Sequence, residues 1–309
     1  MVNREIIRLK VVQLVYASMV TGETDVEKGE RELLFALQKT FDLYHSMLQL
    51  MVDLYNVGCR RLATEEAKVQ RLGEGSVPSP RWAANRFVQQ LEANEELRKY
   101  CSDQKLGWTD EEEFLARVFR RVSESEYYRR YLQSDDIYES DRALWHDIYR
   151  NELCENDFID DILERQSLYW NDDRHVVSTF VLKTIKNFGR KAGAEQELLP
   201  QFRDEGDRTF ACTLLRSAIK GSETYRDMIA ANVKGWDLNR LATMDLVIMQ
   251  VALAEIINCE GIAVGVSMNE YIEIAKAYST PQSGGYVNGL LDQIVHKLAA
   301  DGIISKEVR

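Results

Sequence analysis

Residues 236–298 read WDLNRLATMDLVIMQVALAEIINCEGIAVGVSMNEYIEIAKAYSTPQSGGYVNGLLDQIVHKL. Their punctuation decides the fold, because three helices follow one another in this stretch. The first is expected over residues 238–257. Between Leu241 and Ile257 only Thr243, Asp245, Gln250 and Glu255 are polar. A helix apolar nearly all round belongs at the centre of a protein; this one is too short and too interrupted by carboxylates to span a bilayer. The second is expected to start at Ser267, where Ser267-Met268-Asn269-Glu270 has the pattern of a capping box. Met268, Ile272 and Ala275 then recur as a buried face, and Asn269, Glu273 and Lys276 as an exposed one. Pro281 closes the segment. The third helix restarts at about Ser283, with Tyr286, Leu290, Ile294 and Leu298 in one apolar row widened by Val287, Leu291 and Val295. Gly289 inside this helix costs about 1 kcal/mol against alanine, and close packing against another helix is its simplest explanation. The start Ser283-Gly284-Gly285 presents backbone amides of the kind that bind phosphate, though most helix starts bind only water and a cap.

Working outward, Asn3 is placed to cap a first helix running to about Met19, with Ile7, Val11 and Leu14 as its buried face. Arg4 and Arg8 lie one turn apart on the same side. Cations at a helix start oppose the dipole, a mild argument that they serve something other than the helix. A long helix over about residues 30–71 carries Leu37, Phe41, Tyr44, Leu48, Met51 and Tyr55 at coiled-coil spacing. The Gly- and Pro-rich loop 73–80 and a returning helix over residues 81–101, with Phe87, Leu91 and Asn94 on its seam, complete an expected antiparallel hairpin projecting from the body. Thr109-Asp110-Glu111-Glu112 has the pattern of a second capping box. Shorter helical patterns follow near residues 141–153, 158–168 and 174–188. Residues 189–193, Gly-Arg-Lys-Ala-Gly, then break the pattern.

Composition narrows the function classes. The chain has 309 residues, only four prolines and a formal net charge of −11, which fits an all-α protein and has the wrong sign for a general nucleic-acid binder. Residues 109–173 hold 19 acidic and 8 basic side chains, an excess equal to that of the whole chain. No apolar run suits a membrane span, and the charged N-terminus is unlike a signal peptide. The five cysteines, at Cys59, Cys101, Cys154, Cys212 and Cys259, are too far apart for a zinc knuckle and suggest reduced thiols in a cytoplasmic protein. No P-loop, dinucleotide fingerprint or paired histidines occur. The enzyme-like constellation is Asp157, Asp160, Asp161 and Glu164, on one face of a helix, superficially like the Mg²⁺-diphosphate motif of all-α isoprenoid synthases. That alternative, an all-α Mg²⁺-dependent enzyme, needs a second acidic helix facing the first. No such helix has convincing spacing, so a solvated acidic face is the simpler account and neither a catalytic residue, a metal site nor a cofactor is expected.

Three strings carry a resemblance: Asp245-x4-Gln250-Val251-Ala252-Leu253-Ala254-Glu255; Ser267-Met268-Asn269-Glu270-x2-Glu273-Ile274-Ala275-Lys276; and Tyr286-Val287-Asn288-Gly289-Leu290-Leu291-Asp292. Together with Arg4-x3-Arg8-x4-Gln13-x2-Tyr16, they resemble the NusB family of bacterial transcription antitermination factors. The resemblance covers about residues 3–20 and 204–300. It implies a NusB-like helical bundle whose first helix, residues 1–21, is separated by an acidic helical insertion, residues 22–203, from its remainder, residues 204–300, and a tail at 301–309. It further implies a non-catalytic protein that pairs with NusE, also a small-subunit ribosomal protein, and binds the boxA element of ribosomal RNA transcripts within the transcription elongation complex. Motif-to-motif alignment puts Arg4, Arg8, Gln282, Ser283 and Tyr286 on the family's RNA side, and Tyr16 and Asp245 where the family meets NusE. The arginine-rich run of the family is thinner here, with Glu5 and Ile6 between the two arginines, and Gln282 and Gly285 stand where the family can have an acid and a lysine. Tyr286 has two readings from sequence, a base-stacking ring or the first member of a core row. NusB-like domains also occur fused to RNA cytosine methyltransferases, but the Gly-rich cofactor turn and Pro-Cys segment of those enzymes are not present.

Overall fold

The computed structural model describes residues 1–233 and 241–307. Helix α1 (Arg4–Thr21) starts where the sequence predicts, the Asn3 side chain accepting a hydrogen bond from the Ile6 amide at 3.0 Å. It ends at Gly22, whose φ of 73° is open to glycine. Helix α2 (Val26–Leu72) is the long helix of the expected hairpin. The chain divides into two compact units: Met1 with Gln38–Gln201, and Val2–Leu37 with Phe202–Arg309. Among the described residues there is no strand, only an isolated parallel bridge between Val2 and Phe202.

In the first unit the α2 seam is buried at Phe41, Tyr44, Leu48, Met51 and Tyr55. The returning segment differs from the expected single helix. It is a turn followed by α3 (Arg86–Ala93) and α4 (Glu95–Gln104), broken at Asn94. Asn94 is not a seam residue; its Oδ1 caps α4 by accepting from the Leu97 amide at 2.9 Å, and asparagine competes well for that role. Nor do α2 and its return form a hairpin packed mainly on itself. The segment is covered by α5 (Glu112–Glu124), α6 (Glu126–Gln133), α7 (Tyr138–Ile148, continued by a wider turn Tyr149–Leu153) and α9 (Arg174–Asn187), while α8 (Asp157–Gln166) meets α5 and α9. Trp82 shows how. Its indole donates to the Tyr55 carbonyl at 3.1 Å and its ring meets Phe119, Tyr128 and Trp145 at centroid distances of 5.0, 6.0 and 5.4 Å. Gly58 makes this possible, since a Cβ there would lie 2.5 Å from the indole nitrogen. The second expected capping box is not formed: a 3₁₀ turn over Thr109–Glu111 precedes α5 with no side-chain cap.

The second unit gathers α10 (Glu205–Lys220), α11 (Ser222–Ala230), α12 (Thr243–Asn258), α13 (Val264–Tyr278) and α14 (Ser283–Ala300) with α1. Helix α12 packs against α1, α10, α11, α13 and α14, and every residue from Val247 to Ile256 is buried, as an apolar circumference requires. It starts at Thr243, so Leu241 and Ala242 lie before the helix and not within it; residues 238–240 of the expected start lie outside the described residues. Helix α13 starts three residues before the expected cap. Ser267 is buried inside the helix and donates to Glu255 Oε1 at 2.7 Å, so no capping box forms there. The buried face is accordingly Val264, Ser267, Tyr271, Ile274 and Ala275, while Met268 and Ile272 are half-buried. Gly289 faces open space, not a close helix contact; the tight approach on α14 is at Gly284, where the Lys276 side chain lies 2.6 Å from a built Cβ. No described helix is long and apolar enough to cross a membrane.

Candidate nucleic-acid interface

Three helices of the second unit, α10, α12 and α13, set the positions of the arginines on α1. Arg8 lies on the face turned toward α12 and α13, and it is buried. Its Nε and Nη2 donate to the two oxygens of Glu255 at 2.8 and 2.9 Å, and its Nη1 to Glu270 at 3.1 Å. Glu255, fully buried, also accepts from Ser267 Oγ at 2.7 Å and Tyr271 OH at 2.8 Å. Burial alone would lower the affinity of Arg8 for its proton, but the hydrogen bonds and charge of Glu255 outweigh it and the pKa is raised. Burial, then the Glu255 charge, pushes the Tyr271 hydroxyl well above its ordinary value. This corrects the expectation that Arg8 faces RNA: a guanidinium with four per cent of its side chain exposed cannot also meet a phosphate. Lys10 is buried as well.

Arg4 is different. Its side chain is 39% exposed, its Nε is 3.3 Å from Asp207 Oδ1, and its guanidinium lies over the Phe210 ring at 5.0 Å. Phe210 also sits under Arg8 at 5.6 Å, so one ring at the start of α10 steadies both cations.

At the start of α14, the Ser283 hydroxyl is buried. It donates to Asp245 Oδ2 at 2.8 Å and accepts from the Thr280 amide at 3.1 Å. Ser283, expected on the RNA side, and Asp245, expected on the partner side, are therefore bonded to each other. Asp245 is buried and its Oδ1 has no hydrogen-bond partner among the described residues. Gln282 and Gly285 are exposed, and Tyr286 is 37% exposed, at the rim of the row that continues at the buried Leu290. Burial, then the Asp245 charge, raises the Tyr286 hydroxyl pKa. Tyr16 is half-buried on α1. No hydrogen bond among the described residues joins Arg4 to Ser283 or Tyr286. Sequence reasoning missed Glu255, Glu270, Tyr271, Asp207 and Phe210 as the groups that hold the arginines. The available signal was Glu255 itself, an acid directly after the apolar run Val251–Ala254, which demands a buried counterion.

The carboxylates of the enzyme-like alternative, Asp157, Asp160, Asp161 and Glu164, are exposed on α8, and Asp160 pairs with Arg174 at 2.7 Å. Among the described residues no group of three or more His, Cys, Asp or Glu side chains could hold a metal ion, and the cysteines are free.

The second unit is thus an all-helical module organised on a central apolar helix, with an arginine-bearing first helix bolted to it through a buried carboxylate. The chain belongs to the NusB family. The family model described as "NusB family" matches residues 179–296. A transcription antitermination protein NusB of Salinibacter ruber is 36% identical over 135 residues, covering 42% of this chain and 84% of that protein. That of Geotalea daltonii is 34% identical over 137 residues, covering 44% and 91%. A solved structure of T. maritima NusB is 25% identical, covers 46% of this chain and 84% of its own, and superposes with a TM-score of 0.31. The family is a non-enzymatic one.

Proposed function

We propose that this chain is a transcription antitermination factor that pairs with NusE and, as that pair, binds boxA RNA in ribosomal RNA transcripts. The observation that carries the reading is the 36% identity across 84% of a relative named for antitermination. The surface chemistry agrees with it. Arg4 offers a guanidinium to phosphate, Tyr286 offers a ring on which a base can stack, and Gln282 and the exposed Gly285 stand beside it. Ser283 contributes by holding the start of α14 to Asp245. Tyr16 and Asp245 are the residues proposed to meet NusE; Asp245 is buried and would act through the start of α14, which it holds by accepting from Ser283.

Few cations are available and the chain is acidic overall, so RNA affinity of the chain alone is weak and the partner supplies part of the contact. The test is purified transcription through a terminator on templates with intact or scrambled boxA, with NusE and the remaining elongation factors present. Adding the chain raises read-through only on the intact template, and Tyr286→Ala reduces the gain. Equal read-through with and without the chain would refute the reading.

A further inference from the structure

Arg203 lies outside every motif that carries the family resemblance, in the last residues before α10. The Val2–Phe202 bridge sets the start of α1 beside the start of α10, and so brings residue 203 next to Arg4. Asp207 Oδ1 lies 3.3 Å from Arg4 Nε and 3.3 Å from Arg203 Nη2. Two guanidiniums thus share one carboxylate oxygen, and their donor nitrogens lie within twice that distance of each other. Asp207 is four per cent exposed, whereas the Arg4 and Arg203 side chains are 39% and 72% exposed. The carboxylate is therefore the inner anchor and the two cations are the outer surface. Asp204, which caps α10 by accepting from the Asp207 amide at 3.2 Å, steadies Arg203 Nε at 3.3 Å through its other oxygen.

We infer that Arg203 is a second phosphate-contacting residue of this chain, acting with Arg4 on the backbone of the bound RNA; the inference rests on the RNA-binding reading above. A phosphate carries several acceptor oxygens, so adjoining guanidiniums can grip one phosphate or two neighbouring ones while each keeps its bond to the shared carboxylate. The pair supplies what the thinned N-terminal run lacks: Arg8 and Lys10 are buried, and the cation beside Arg4 comes from the segment just before α10 instead. Asp204 and Asp207 bond the pair, and two further acids, Glu5 and Glu205, lie in the first turns of α1 and α10. These acids keep the expected effect to about one phosphate contact per arginine.

The experiment measures affinity for single-stranded boxA RNA by fluorescence anisotropy with NusE present, across a salt series, for the wild type, Arg203→Ala and Arg203→Lys. Arg203→Ala should flatten the slope of log affinity against log salt by about 0.7 and weaken binding roughly threefold to fivefold near 0.1 M salt, with Arg203→Lys keeping most of the slope. Its exposure predicts an unchanged circular-dichroism spectrum, which each variant must show. A wild type that binds while Arg203→Ala keeps its full slope overturns the inference and leaves the RNA reading standing. A wild type that does not bind boxA RNA at any salt overturns both.

Discussion

Replacing Arg8 by alanine is the perturbation that separates a buried bolt from an RNA contact. The change removes two hydrogen bonds to Glu255 and one to Glu270. It leaves the Glu255 carboxylate fully buried with only Ser267 and Tyr271 as donors. Removing one member of a buried ion pair costs about 3–5 kcal/mol; the two surviving donors to Glu255 argue for the lower end, about 3 kcal/mol. Urea unfolding followed by far-ultraviolet circular dichroism gives the loss. Replacing Arg8 by methionine and Glu255 by leucine together should be less damaging than Arg8→Ala alone, because no charge is then stranded. In the same variants, any loss of RNA affinity should come without a change in salt slope, whereas a phosphate contact would take about 0.7 from it. A stability loss below about 0.5 kcal/mol for Arg8→Ala, the range of ordinary surface changes, would refute the bolt.

Three further outcomes follow from the same structure. His45 is fully buried, stacked on Tyr100 at 3.8 Å, with its Nε2 unpartnered among the described residues, and burial pushes its pKa down from 6.5 to about 4. Above pH 6.5 both folded and unfolded chains carry the neutral ring; below it the unfolded chain binds a proton the folded chain refuses, so stability falls between about pH 6.5 and pH 4 by up to about 3 kcal/mol. A pH profile of unfolding that is the same in His45→Phe removes this assignment. Tyr286→Ala should weaken RNA binding by about 1–3 kcal/mol with little change in stability or salt slope; a large loss of stability with unchanged RNA affinity would make Tyr286 a packing residue. Phe41 is nine per cent exposed, edge-on to His45 and Tyr100 at 4.5 and 5.3 Å. Phe41→Ala should therefore cost about 3–5 kcal/mol in denaturant unfolding, and a cost under about 0.5 kcal/mol would mean that the ring packs on nothing.

Much of the second unit was legible in the sequence because its signals are local. Asn3 caps α1, the apolar run makes α12 central, and Val287, Leu291 and Val295 are buried on α14. What local pattern misjudged was decided by partners far along the chain. Ser267 looks like a cap but is drawn to Glu255, which moves the start of α13 and turns its buried face by one position. Arg8 looks exposed because its counterions are 247 and 262 residues away. Arg203 looks like a stray charge until the Val2–Phe202 bridge brings it beside Arg4. The first unit was legible as helices but not as an arrangement. A coiled-coil seam on α2 suggested a self-contained hairpin, while the actual covering comes from Trp82, Phe119, Tyr128 and Trp145 on segments that share no short-range pattern.

The central claim is that this chain acts on RNA as one half of a pair. The most direct measurement is its affinity for boxA RNA and for a scrambled sequence of equal length, each with and without saturating NusE. The account predicts weak binding alone with a salt slope of about −1.4 from two phosphate contacts. It predicts a clear gain in affinity and in preference for boxA once NusE is present. Affinity that is unchanged by NusE, or a gain that is equal for the scrambled RNA, would contradict it.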